Sequence, residues 1–115
     1  MMNKLRFSVN TRRTSTRKNG YSSVIFNIHY RNQLHRLYSG ISVMDSQWNA
    51  QKECVKQGVK VGNILYTVLN KRLKDEEQFI IDFFNTCMIM EVEPSMMELK
   101  KRFNDKFNSR DSRRE

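Results

Sequence analysis

At 115 residues, 38% of them hydrophobic and 29% charged, the chain has enough apolar material for one core and too much for a disordered segment. No run approaches the roughly 18–20 apolar residues that span a bilayer, and the N-terminal MMNKLRFSVNTRR lacks the apolar stretch of a signal peptide. Lys and Arg number 21 against 12 Asp and Glu, a net charge of +9, and the imbalance is local. Lys4, Arg6, Arg12, Arg13, Arg17, Lys18, Arg31 and Arg36 precede the first acid, Asp45, whereas the rest of the chain holds 13 basic side chains against 12 acidic. A segment of one sign attracts polyanions, with nucleic acid the leading candidate.

In chain order, Leu5, Phe7 and Val9 alternate with Arg6, Ser8 and Asn10, the period of a half-buried strand. Thr11 to Gly20 has no apolar residue and ends in Asn-Gly, which predicts a loop. Alternation resumes from Ser22 to Arg31, with Val24, Phe26, Ile28 and Tyr30 on one side. Asn32-Gln33 is the expected two-residue turn into a returning strand, Leu34 to Ile41. That turn sets Arg31 opposite Leu34, His29 opposite Arg36, Asn27 opposite Tyr38, Ile28 opposite Leu37 and Val24 opposite Ile41. Apolar pairs then share one face and polar pairs the other.

Asp45 to Trp48 predicts a short helical turn capped by Asp45, with Trp48 plugging the junction of sheet and helix. Asn49 to Gly62 is a polar loop, and Asn63 caps a long helix over about 64–90, with Leu65, Val68, Leu69, Phe79, Ile80, Phe83, Cys87 and Met88 on one face. Lys74-Asp75-Glu76-Glu77 interrupts that face, which predicts a bend or a solvated acidic patch. Ser95-x-x-Glu98 fits a capping box for a second helix over 96–107, lined by Met96, Leu99, Phe103 and Phe107. Residues 108–115 are a polar linker or disordered tail. The expected fold is α+β: a three-stranded antiparallel sheet (4–41) packed on a long α-helix, followed by a shorter second helix, all within one domain, 1–107.

Catalytic motifs are missing. There is no GxxxxGK[ST] or GxGxxG phosphate loop, and His29 and His35 have no carboxylate neighbours in sequence. Tyr21, Tyr30, Tyr38 and Tyr66 lack an activating Arg/His cluster. Cys54 and Cys87 show neither CxxC nor Cys/His spacing, against both a disulfide framework and a zinc site. The chain alone is expected to be no enzyme and to need no cofactor or metal. What remains is the polar face of the sheet, with Arg6, Ser8, Asn10, Asn27, His29, Arg31, Arg36 and Tyr38 as donors suited to base edges and phosphates. Arg12, Arg13, Arg17 and Lys18, in the basic loop at the sheet's edge, are placed for phosphates.

The order of strand, basic loop and hairpin, then Tyr38-Ser39-Gly40-Ile41-Ser42-Val43, Trp48-Asn49, Val61-Gly62-Asn63 and Pro94 to Phe103, resembles the N-terminal arm-type DNA-binding domain of tyrosine recombinases of the phage-integrase family. The resemblance runs over about residues 4–107, and the "S/T-Gly-Ile-x-Val … Trp" stretch is its most specific part. It implies that a three-stranded sheet reads arm sites of a bacterial mobile element, such as a conjugative transposon, in the major groove during DNA integration and recombination. It further implies separate core-binding and catalytic domains downstream, other recombinase protomers as partners, no membrane, and a cytoplasmic, nucleoid-associated location. The catalytic set belongs to a domain beyond this stretch, so none of its roles falls on these residues. The Asn32-Gln33 turn departs from the family in lacking the Gly often found there. An RNA-binding module and a protein-interaction domain are the alternatives, although Tyr38 is the one aromatic on the face that suits base stacking.

Overall fold

Period-two alternation carries through to a three-stranded antiparallel sheet in a computed structural model that describes residues 7–14 and 20–107. The strands are β1 (Phe7–Arg13), β2 (Tyr21–Tyr30) and β3 (Gln33–Met44), in spatial order β1-β2-β3. Two small hairpins follow, β4 (Trp48–Asn49) with β5 (Cys54–Val55) and β6 (Lys60–Val61) with β7 (Ile64–Leu65), before helices α1 (Tyr66–Met90) and α2 (Met96–Phe107). The fold is α+β, as the alternation and helical periods require. Arg6, Arg17 and Lys18 and the 108–115 tail lie outside the described residues.

One face of the sheet is the core. Val24, Phe26, Ile28 and Tyr30 of β2 and Leu37, Ile41 and Val43 of β3 are buried against Leu69, Leu73, Ile80 and Phe84 of α1 and Leu99 and Phe103 of α2. Phe7 stacks on Phe84 at 4.4 Å between ring centroids, and Phe103 meets Phe26 edge-on at 6.1 Å. Trp48 is buried in the same cluster. Asn70 of α1 accepts from Val55 N–H (2.8 Å) and donates to Val55 C=O (3.1 Å), fastening the β4–β5 hairpin to the helix.

Several expectations need correction. The loop expected from Thr11 does not begin there: β1 runs on to Arg13, because Thr11 is buried and Thr14 N–H bonds Ser23 C=O at 2.9 Å, and residues 15–19 of that expected loop lie outside the described residues. The hairpin turn is Arg31-Asn32, not Asn32-Gln33. Both residues have positive φ (54° and 63°), the requirement of a tight turn matched to strand twist, and Tyr30 pairs with Gln33. Near the turn the partners are therefore His29 with Leu34, Asn27 with Arg36 and Phe26 with Leu37. Moving the turn by one residue shifts pairing by two places, so the division of side chains between faces survives.

Further along, Ser23 pairs with Ser42, so Val24 stands opposite the bulged Ser39-Gly40-Ile41. Gly40 has φ +85°, a backbone state costly for residues with a Cβ. Ser39, fully buried, accepts Ile41 N–H on its hydroxyl at 3.0 Å. The Ser-Gly-Ile motif is thus the chemistry of a bulge, after which β3 continues to Met44.

The 3-10 turn Asp45–Gln47 is capped by Met44, whose N–H bonds the Gln47 side chain at 2.8 Å, rather than by Asp45. The polar stretch 49–62 folds into the small hairpins, and α1 begins at Tyr66 without a side-chain cap. Leu65 and Val68 are exposed, while Leu73 and Phe84 join the buried stripe. Ser95 Oγ accepts Glu98 N–H at 3.2 Å, half of the expected capping box; the Glu98 carboxylate turns instead to Arg102 at 2.7 Å.

Glu76 overturns the solvated-patch expectation, and α1 passes through it without a break. Its side chain is fully buried and takes Arg72 Nε at 2.8 Å, while Arg72 also donates to Ser39 C=O (2.8 Å) and Phe107 C=O (3.1 Å). One ion pair thereby ties the β3 bulge to both helices. Glu76 Oε1 is buried without a partner. Burial raises the carboxyl from 4.5 to about 7 against the opposing pull of Arg72. Between those two values the folded chain binds more protons than the unfolded one, so stability falls as pH rises through the interval. The loss is expected to be on the order of 3 kcal/mol. Chemical denaturation across that range should show the decline, and Glu76→Gln should flatten it; an unchanged slope in the variant would place the titration elsewhere.

Candidate nucleic-acid interface

The sheet's other face is open and polar. Pairing sets its side chains in three rows across the strands: Ser8–His29–Leu34, Asn10–Asn27–Arg36 and Arg12–Ile25–Tyr38. Ser8, His29, Leu34, Arg36 and Tyr38 are exposed, Asn10 and Asn27 half-buried. Alternation in β1 and β2 produces this, since each residue between two core-facing neighbours must point outward. Hydroxyl, amide, imidazole and guanidinium groups thus stand within one small area. Arg36 has no hydrogen bond or ion pair among the described residues, whereas Asn27 Oδ1 is buried without a hydrogen-bond donor, so only the rest of that amide is turned to solvent.

The structure gathers six of the eight residues expected on this face: Ser8, Asn10, Asn27, His29, Arg36 and Tyr38. Arg6 falls outside the described residues. Arg31 is not on the face. It occupies the turn, with Nε 2.8 Å and NH2 2.9 Å from the two Glu93 carboxylate oxygens and Nε 2.9 Å from the Tyr30 hydroxyl. Hydrogen bonding from Tyr30, together with the Arg31 guanidinium, holds the Glu93 carboxyl below the usual carboxylate range.

Arg12 and Arg13 are strand residues, not loop residues, and point to opposite faces. Arg13 lies on the core side, its side chain 14% exposed, donating to Ser22 Oγ and to Asp45 Oδ1 at 2.9 Å. Arg12 is on the outward face at the β1 edge, donating to Glu53 and to Thr11 C=O at 3.2 Å. Sequence reasoning missed these three acids. Asp45, Glu53 and Glu93 come from outside the basic segment and fold back onto it, so the charge separation along the chain is partly cancelled in space. Ile25, 3% exposed in the middle of the polar face, was also missed; its apolar neighbours in β2 masked its outward position.

Among the described residues no group of three or more His, Cys, Asp or Glu side chains is placed to hold a metal, and no helix is long and apolar enough to cross a membrane. Cys54 and Cys87 are free thiols. The family model described as "Arm DNA-binding domain" matches residues 9–86, which take in most of β1, all of β2 and β3, both small hairpins and most of α1. The chain belongs to this family. No curated protein and no solved structure matches it. The matched strands carry the exposed polar face described above. The matched segment is a DNA-binding domain, and no catalytic domain is matched.

Proposed function

We propose that this arm DNA-binding domain reads duplex DNA sequence-specifically, with the outward face of β1–β3 inserted in the major groove, as the arm-site module of a tyrosine recombinase acting in DNA integration and recombination. The observation that carries the reading is the row Asn10–Asn27–Arg36, at the centre of an exposed three-stranded face, in a chain whose family is DNA-binding. A narrow ribbon fits the major groove, where Arg forms paired bonds to guanine and Asn to adenine. Ser8, His29 and Tyr38 flank that row, and the Leu34 side chain suits a thymine methyl group. Arg6, Arg12, Arg17 and Lys18 serve phosphates. Other recombinase protomers, the arm sites of a bacterial mobile element and a cytoplasmic, nucleoid-associated setting complete the proposal, and the chain itself carries out no chemistry.

The test is Arg36→Ala against a duplex selected from a random library and a scrambled version of it. The variant should lose roughly 1–3 kcal/mol on the selected duplex and relax preference at one position, with a much smaller loss on scrambled DNA. Equal losses on both would make Arg36 a phosphate contact and remove base reading from the sheet. Stronger binding to structured RNA than to any duplex would favour the RNA-binding alternative instead.

A further inference from the structure

Glu53 holds an unusual position. It lies between β4 and β5 with φ +55°, and one carboxylate oxygen accepts the Thr11 N–H at 3.0 Å while the other takes the Arg12 guanidinium. Thr11 N–H points away from β2, so Glu53 occupies the free edge of β1 and closes it to another strand. Arg12 bends to the same edge, where its NH1 also donates to Thr11 C=O. A phosphate backbone flanking a groove-inserted sheet would run along that edge. The pair is partly solvated, the Arg12 and Glu53 side chains being 49% and 30% exposed, so exchanging one anion for another is feasible.

We infer that Glu53 is a built-in counter-anion which competes with DNA phosphate for Arg12, lowering the domain's affinity for duplex DNA of any sequence. The inference rests on the DNA-binding reading above. A phosphate that engages Arg12 must displace the Glu53 carboxylate, which leaves that acid facing the polyanion. Arg13 and Arg31 are also paired, with Asp45 and Glu93, but Arg13 faces the core and Arg31 stands off the face in the turn. Arg12 is therefore the described arginine whose internal partner and external ligand contend for one guanidinium at the proposed interface. Such a brake weakens indiscriminate binding while leaving the base-reading row untouched.

The experiment titrates sonicated mixed-sequence duplex DNA with the wild-type chain, Glu53→Gln, Arg12→Ala and the double variant. Gln keeps an acceptor for Thr11 N–H and removes the charge that holds Arg12. Glu53→Asn, a residue at home at positive φ, guards against a folding defect in the Gln variant. Both Glu53 variants should bind roughly two- to fivefold tighter, the worth of a partly exposed ion pair, and most of the gain should vanish when Arg12→Ala is added. Unchanged or weaker binding by folded Glu53 variants would overturn the inference. So would a gain of equal size in the Arg12→Ala background, which would reduce Glu53 to general repulsion. Failure of the wild-type chain to bind any duplex would instead overturn the DNA-binding reading itself.

Discussion

Trp48→Ala should destabilise the domain by roughly 3–5 kcal/mol, the range for truncating a large buried aromatic. Trp48 is 7% exposed, begins the first of the two small hairpins opposite Val55, and belongs to the cluster that joins the sheet to both helices. Removing the indole leaves a cavity that a two-residue strand, pinned through Val55 to Asn70, has little freedom to fill. A domain of this size has about 5–15 kcal/mol of total stability, so the variant stands near the threshold of folding. Urea denaturation measures the loss directly, and the midpoint of thermal unfolding should fall by more than about 10 °C. A loss below about 1 kcal/mol would mean that Trp48 lies on the surface in solution.

The sheet and its two faces were legible in the sequence because alternation is a local signal. Val24, Phe26, Ile28 and Tyr30 point one way whatever the register. The position of the turn was not legible. Asn32 is a common residue at positive φ, but its companion there is Arg31, which carries no such preference and is held by Glu93, 62 residues away. Glu76 was misplaced for a similar reason. A run of Lys, Asp and two Glu looks solvated, and only the tertiary fold brings Ser39 and Phe107 to Arg72 and so gives the buried pair its surroundings.

At the candidate site, six of the eight outward residues followed from parity alone. Their electrostatics did not, because ion pairing ignores order along the chain. Asp45, Glu53 and Glu93 carry no local mark that would assign them to the arginines they meet. Gly40 carries no local mark of its role in the sequence, and its positive φ within the bulge supplies the physical reason for the Ser-Gly-Ile stretch.

Affinity for duplex DNA should fall roughly five-hundredfold between 50 and 200 mM salt, with a slope of log K against log salt of about −4.5. The expectation follows from the charges that remain available. Of the eight basic residues before Asp45, Arg13 and Arg31 are committed to Asp45 and Glu93. Arg36 is assigned to a base edge, which leaves five for phosphates: Lys4, Arg6, Arg12, Arg17 and Lys18. Arg12 reaches a phosphate only at the expense of Glu53 under the inference drawn above. About five neutralised phosphates give that slope, since each contributes about −0.9. The same count separates spatial from linear charge. Arg31→Ala removes a positive charge from the basic segment yet should leave the slope unchanged, whereas Arg12→Ala should make it shallower by about one unit. Titrations at several salt concentrations decide the matter. A flat response would remove phosphate contact from the account, and a slope lowered as much by Arg31→Ala as by Arg12→Ala would mean that the Arg31–Glu93 pair opens on DNA.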